Sequence, residues 1–327
     1  MCVDLKETTD NALRPPFIIS GKPVMPGEEA TINVNIARLP SHSDINLKIT
    51  VARAVEEGPT LLLSGGLHGD EINGVEIVRR IIEKDQHKPK IGTVICIPII
   101  NMFGFINFSR FVPDGKDVNR SFPGNKNGSL AARVAHYLTN NIIPKIDVGL
   151  DFHTGGADRT NYPQIRCVMK DPKNKAIAEA FEPPFILNSP FRKKSLRQTA
   201  AKMGKHILVY EGGESARFDE HAIQLGINGA LRVMKHLGMR ERAPEPPHKM
   251  KVINHSSWVR AKYSGIFLTQ VKSGELVEKN QIIGYIAEPF GSFKHKIKSP
   301  ANGFIIGLNN NPIIHQGDAL MHIGVNK

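Results

Sequence analysis

Thr60-Leu-Leu-Leu-Ser-Gly-Gly-Leu-His68-Gly-Asp-Glu71 joins an apolar run to a glycine-rich turn carrying one imidazole and two carboxylates. The run has the character of a buried strand, and Gly65, Gly66 and Gly69 let the chain turn sharply towards a helix. Ile72, Val75, Val78, Ile81 and Ile82 then recur at helical spacing. His68 stands at the strand end with Glu71 about one helical turn on, so both side chains can converge on one ion. The bland alternative is a helix cap, with Asp70 or Glu71 favouring the helix N-terminus. A second strand-like run, Ile146-Asp-Val-Gly-Leu-Asp-Phe-His153, ends on another histidine and tips the balance. Two imidazoles and a carboxylate at neighbouring strand ends make an open three-ligand site for one zinc ion per chain. His68, Glu71 and His153 are the expected ligands.

Working outward, residues 17–57 alternate modestly and predict antiparallel strands. From 60 to 240, short apolar runs (61–63, 93–100, 146–152, 207–210) alternate with helical periodicity. After the helix beginning at Ile72, further helices are expected at 128–142, 173–181, 195–203 and 219–237. That pattern is an α/β fold, a mixed sheet sandwiched by helices, with sites beyond the strand ends. Glu241-Arg-Ala-Pro-Glu-Pro-Pro-His248 reads as a linker, because its prolines stop the preceding helix. Dense turn signals follow, so residues 1–245 are expected to form the catalytic domain and 246–327 a small C-terminal all-β domain.

The 327-residue composition, 40% hydrophobic and 23% charged, is that of a soluble globular chain. No run approaches a membrane span, and no secretion signal is read at the N-terminus. Cys2, Cys96 and Cys167 are too few and scattered for a disulfide framework, which favours a cytoplasmic setting; Cys96 reads as a small core residue. A formal charge of +12 raises nucleic acid as a competing partner. The basic clusters Phe191-Arg-Lys-Lys-Ser-Leu-Arg197 and Lys294-His-Lys-Ile-Lys298 carry no interleaved aromatics for base stacking and are taken as solvated faces, so no nucleic-acid partner is expected. A positive field suits a small anionic substrate equally well. The sequence is compatible with a monomer or a homo-oligomer.

Two further segments carry chemistry. Asn107-Phe-Ser-Arg110-Phe-Val-Pro-Asp-Gly-Lys-Asp117-Val-Asn119-Arg120-Ser-Phe-Pro-Gly124 is a long polar loop, of the kind that is usually functional. Arg120 offers a planar fork for a carboxylate, Asn119 a donor beside it, and Arg110 a second fixed cation. The alternative is a surface loop whose arginines pair with Asp114 and Asp117. Lys205-His-Ile-Leu-Val-Tyr-Glu211-Gly-Gly-Glu214 sets a carboxylate at a strand tip, where a general base is needed. Glu211 is favoured over Glu214, which lies farther into the loop. His42, His136, His206 and His221 lack a short-spaced partner and are not expected to be ligands. Asp151 is placed to orient His153 or to be an unrelated strand-end acid.

Taken together, His68-Gly-Asp-Glu71, Arg110 with Asp117-Val-Asn119-Arg120, Asp151-Phe-His153 and Glu211-Gly-Gly resemble the succinylglutamate desuccinylase/aspartoacylase family, a branch of the zinc carboxypeptidase-like enzymes. The match runs from about residue 58 to 240. The resemblance implies zinc at His68, Glu71 and His153, with Glu211 as general base. It also implies that Asn119 and Arg120 hold a substrate carboxylate and that Arg110 polarises the scissile carbonyl. A further substrate-binding arginine of the family has Arg197 as its candidate here, at a longer distance from Glu211. The implied reaction is hydrolysis of the amide of a small N-acyl amino acid. A zinc carboxypeptidase acting on peptides would share these residues and is the competing reading. The C-terminal part resembles a barrel-sandwich hybrid of the lipoyl/biotinyl type, but Ser292, not a lysine, stands about where such carriers bear their modified residue. The parallel implies instead a module that limits access to the cleft.

Overall fold

The computed structural model describes residues 14–325, so Cys2 lies outside the described residues. A hairpin of β1 (Phe17–Ile19) and β2 (Lys22–Val24) precedes β3 (Glu29–Arg38) and β4 (Asp44–Arg53), antiparallel partners as the alternation predicts. β5 (Glu56–Gly65) leads into α1 (Ile72–Glu83), and β6 (Ile91–Ile97) into the short α2 (Met102–Ile106). The helix expected over 128–142 keeps regular geometry only as α3 (Leu130–Tyr137), after which the coil loosens. The side-chain amides of Asn140 and Asn141 donate to the carbonyls of His136 and Tyr137, competing with the backbone for those acceptors. β7 (Val148–Gly155), β8 (Arg159–Cys167), α4 (Pro172–Phe181), β9 (Phe185–Asn188), α5 (Leu196–Lys202), β10 (His206–Glu214) and α6 (Glu220–His236) follow.

Their sheet has the order β3-β4-β6-β5-β7-β10-β8. Its middle strands β6, β5, β7 and β10 are parallel, while β3 and β4 run antiparallel to their neighbours and β8 runs antiparallel to β10, which makes it mixed. β7 is buried along its whole length, as expected where helices cover both faces. On one face Ile77 and Val78 of α1, Phe181 of α4 and Ile223 of α6 pack on Leu63, Leu150 and Tyr210. On the other, Val134 of α3 and Leu196 and Ala200 of α5 pack on Ile95 and Ile97. Cys96 lies in the core, where burial pushes its thiol far above the usual range. No helix among the described residues is long and apolar enough to cross a membrane.

The C-terminal strands are β11 (Lys251–Ile253), β12 (His255–Arg260), β13 (Gly265–Thr269), β14 (Leu276–Val277), β15 (Ile282–Ala287), β16 (Lys294–Lys298), β17 (Gly303–Asn309), β18 (Ile313–Ile314) and β19 (Ala319–Val325). They have an apolar cluster of their own, including Phe267, Ile283, Ile286 and Leu320. β13, β15, β16 and β18 form a four-stranded antiparallel sheet. The others extend the large sheet: β17 pairs with β8, β19 with β17, and β12 with β19, while β11 pairs with β9. β16, the cluster Lys294–Lys298, does lie among aromatics: Tyr263 stacks on His295 at 4.0 Å, and the Lys294 ammonium sits 4.2 Å from the Tyr285 ring. Strand pairing brings these rings together from distant segments, which a scan for adjacent residues misses.

Candidate metal centre and active-site cleft

β5 and β7 are hydrogen-bonded neighbours, so the loop leaving β5 and the end of β7 meet at one edge of the sheet. Gly66 takes a left-handed backbone (φ 57°) as the chain leaves β5. A Cβ on Gly69 would stand only 1.8 Å from the Gly104 carbonyl carbon, so the loop passes hard against α2. Glu71 occupies the N-cap position of α1 yet makes no side-chain cap bond. Its carboxylate turns inward instead, so Glu71 does not cap the helix.

One Glu71 oxygen lies 2.7 Å from His68 Nδ1 and the other 2.6 Å from His153 Nδ1. The three residues are buried, and one ligand atom from each lies within 4.8 Å of the others. The opposite ring nitrogens are also held. His153 Nε2 meets Asp151 Oδ2 at 2.7 Å, and Asp151 Oδ1 in turn accepts from Ser64 Oγ at 2.8 Å. His68 Nε2 lies 3.2 Å from Asp117 Oδ1. Each imidazole is thus oriented from behind by a carboxylate, the arrangement that fixes metal-ligating histidines.

Electrostatics follow from this packing. Burial alone would raise the Glu71 pKa, but the adjacent His68 and His153 hold it well below the usual carboxylate range. Burial would lower both imidazoles; Glu71 and Asp117 raise His68, and Asp151 and Glu71 raise His153 further. A divalent cation would meet two nitrogens and a carboxylate already converging on one point, so the donor chemistry fits zinc.

A cleft of about 390 Å³ opens over this centre. All eight residues singled out from the sequence line it: His68, Glu71, Arg110, Asn119, Arg120, His153, Arg197 and Glu211. Glu211, in cross-strand register with His153, is gripped at both oxygens, by Asn161 Nδ2 at 2.8 Å and by the Arg166 guanidinium at 3.3 Å. Glu214 does not line the cleft; its carboxylate lies 3.8 Å from Arg217. Arg110 pairs with Asp117 at 2.8 Å, as the alternative for this loop had it, and its other terminal nitrogen reaches within 3.3 Å of Glu71. Asn119 Oδ1 accepts from the Leu196 amide at 2.9 Å, anchoring its loop to the start of α5. Arg120 is exposed and donates to the Asn119 carbonyl. Arg197 is buried, with its guanidinium donating to the carbonyls of Arg166, Ser189 and Pro190. Burial brings its pKa down to about 10.

Several lining residues escaped the sequence reading: Arg159, Asn161 and Arg166 of β8, Arg192 before α5, and Trp258 of β12. The first three lie on a strand whose apolar content was too low to stand out. Arg192 belongs to a cluster taken as a solvated face, and the structure corrects this, because it lines the cleft beside Arg197, the one member of that cluster already a substrate-binding candidate. Six arginines stand there against the carboxylates of Glu71 and Glu211, a field that favours anions.

Comparison with known proteins bears on this geometry. A family model, described as the succinylglutamate desuccinylase/aspartoacylase catalytic domain, matches residues 57–237. A curated relative, N-alpha-acetyl-L-2,4-diaminobutyric acid deacetylase of Halomonas elongata, is 28% identical over 254 residues, 74% of each chain. The crystal structure of a succinylglutamate desuccinylase/aspartoacylase from Rhodobacter sphaeroides superposes with a TM-score of 0.81 at 25% identity, covering 91% of this chain and 96% of that one. The product-bound ectoine utilization protein from Ruegeria pomeroyi gives 0.83 at 20% identity, over 97% and 99% of the two chains. With the family model spanning more than half of its length, the chain belongs to the succinylglutamate desuccinylase/aspartoacylase family.

Proposed function

We propose that the protein is a zinc-dependent amidohydrolase that removes the acyl group from small N-acyl amino acids. The observation that carries this reading is the convergence of His68, Glu71 and His153, with Glu211 held at both oxygens on the neighbouring strand. His68, Glu71 and His153 would hold one zinc ion, which, when bound, supplies a lowered pKa to water and a Lewis acid to the acyl oxygen. Glu211 takes the proton of the attacking water and returns it to the departing amine nitrogen. Asn161 and Arg166 keep its carboxylate aimed during both transfers. Arg110, fixed by Asp117, offers a donor to the charge developing on the acyl oxygen. Asn119 and Arg120 take the substrate carboxylate and fix the amide relative to Glu211. Arg197 adds positive field and braces the wall formed by Ser189 and Pro190.

Metal analysis of the purified protein and amine release over a panel of N-acyl amino acids test this. The panel includes acetyl, succinyl and Nα-acetyl-diaminobutyrate substrates, the last named for the Halomonas relative. Stoichiometric zinc with amine release from a panel member is expected. Turnover of blocked dipeptides alone would assign the chain to peptides instead, and absence of both metal and turnover would end the proposal.

A further inference from the structure

Beyond Glu211 the sheet continues into the C-terminal strands, and one cross-strand row runs Asn161, Gly307, His322, Trp258 over β8, β17, β19 and β12. Residues directly opposite in antiparallel pairs share a face. Asn161 marks which face this is, because its amide holds Glu211, and Trp258 lines the same cleft. The indole of Trp258 stacks on His322 with ring centroids 4.6 Å apart and planes 5° from parallel. The Arg159 guanidinium stands 5.7 Å from the indole. Gly307 lets the row close up, since a Cβ there would come within 3.0 Å of Asn161 Oδ1 and 3.2 Å of His322 Cβ. Burial and the charge of Arg166 bring the His322 pKa down to about 3, so a flat neutral ring backs the indole near neutral pH. Trp258 is therefore packed from behind and flanked by a cation, with little room to change rotamer.

Asn119 and Arg120 line the same cleft from the loop that follows Asp117, the residue holding His68, and Asn119 ties this loop to the start of α5. In the deacylase reading, a substrate whose carboxylate is held there and whose amide meets Glu211 would extend its acyl group along the cleft lined by Trp258. We propose that Trp258, braced by His322 and flanked by Arg159, is the specificity-determining wall that limits acyl-chain length, admitting short acyl groups and refusing long ones. The direction assigned to the substrate rests on the deacylase reading above.

The test compares kcat/KM for N-hexanoyl and N-acetyl forms of one amino acid in the wild type, Trp258→Phe and Trp258→Ala. One methylene in a fitted pocket changes discrimination by about 10–200-fold. The hexanoyl-to-acetyl ratio should therefore rise at least about tenfold in Trp258→Ala and less in Trp258→Phe. The chain contains a single tryptophan, so its fluorescence reports this end of the cleft without turnover. N-acetyl amino acid added to Glu211→Gln should shift the emission. An unchanged ratio, a silent tryptophan, or a change in amino-acid side-chain preference with the acyl group fixed would overturn the wall. Wild-type protein that releases no amine from any N-acyl amino acid overturns the deacylase reading itself, whereas normal turnover with an unmoved ratio overturns the wall alone.

Discussion

Glu71 touches both histidines at once, and the proposed chemistry depends on that contact together with the grip on Glu211. The two glutamates have separable roles. Glu211→Gln should retain bound zinc and lose nearly all amine release, because proton transfer by a positioned group is removed while the ligands stay intact. His68→Ala should lose both, as metal analysis beside the same assay would show. Retained turnover in Glu211→Gln would remove the general-base role. Asp151 acts through His153, so Asp151→Asn should weaken zinc about 10–100-fold against a competing chelator while leaving the fold intact. His68, Glu71, His153 and Glu211 were legible as candidates, because each sits next to a glycine turn or at the end of an apolar run. The grip of Asn161 and Arg166 was not, since no spacing rule links β8 to Glu211.

At the level of elements, the site depends on how closely α1 lies on β7. A Cβ on Gly74, three residues after Glu71, would approach the carbonyl oxygen of Phe152, directly before His153, to 2.1 Å. Gly74→Ala should therefore cost about 1–3 kcal/mol through overpacking, read by denaturant unfolding. It should also weaken zinc binding by pushing the helix that carries Glu71 off the strand. Unaltered stability would mean that α1 shifts without loss. The β5–turn–α1 unit was readable because a period-3.6 stripe begins directly after the turn. The end of α3 was not, because the asparagine amides that loosen it compete only once the helix exists.

For the whole molecule, the C-terminal strands complete both the sheet and the cleft. A chain ending at residue 245 would leave β8 without β17 and β9 without β11. Such open edges favour association, so the truncated protein should elute as oligomers or aggregate in size-exclusion chromatography. A well-behaved monomer would instead show that residues before 246 need no covering. His322 makes stability depend on pH. Its folded pKa lies at about 3 against an ordinary 6.5, so between these values the unfolded chain binds a proton that the native state does not. Stability is then full above about pH 6.5 and falls as pH drops towards 3. Unfolding of His322→Phe across that range should show a shallower slope, and an identical slope would remove His322 as the cause.

Local order in the chain was sufficient to predict an α/β sheet and to single out His68, Glu71, His153 and the strand-tip Glu211, which the fold brings to one cleft. Glycine turns, apolar runs and helical stripes are short-range features, and the residues they position are fixed by their immediate neighbours. Tertiary structure alone decided which remote side chains meet them. A basic run reads the same whether it faces solvent, as assumed for Arg192, or lines a cleft, as Arg192 does. Trp258 reaches the cleft only through four strands paired in sequence-distant order. Such contacts arise from sheet order and register, which cooperative packing sets for the chain as a whole.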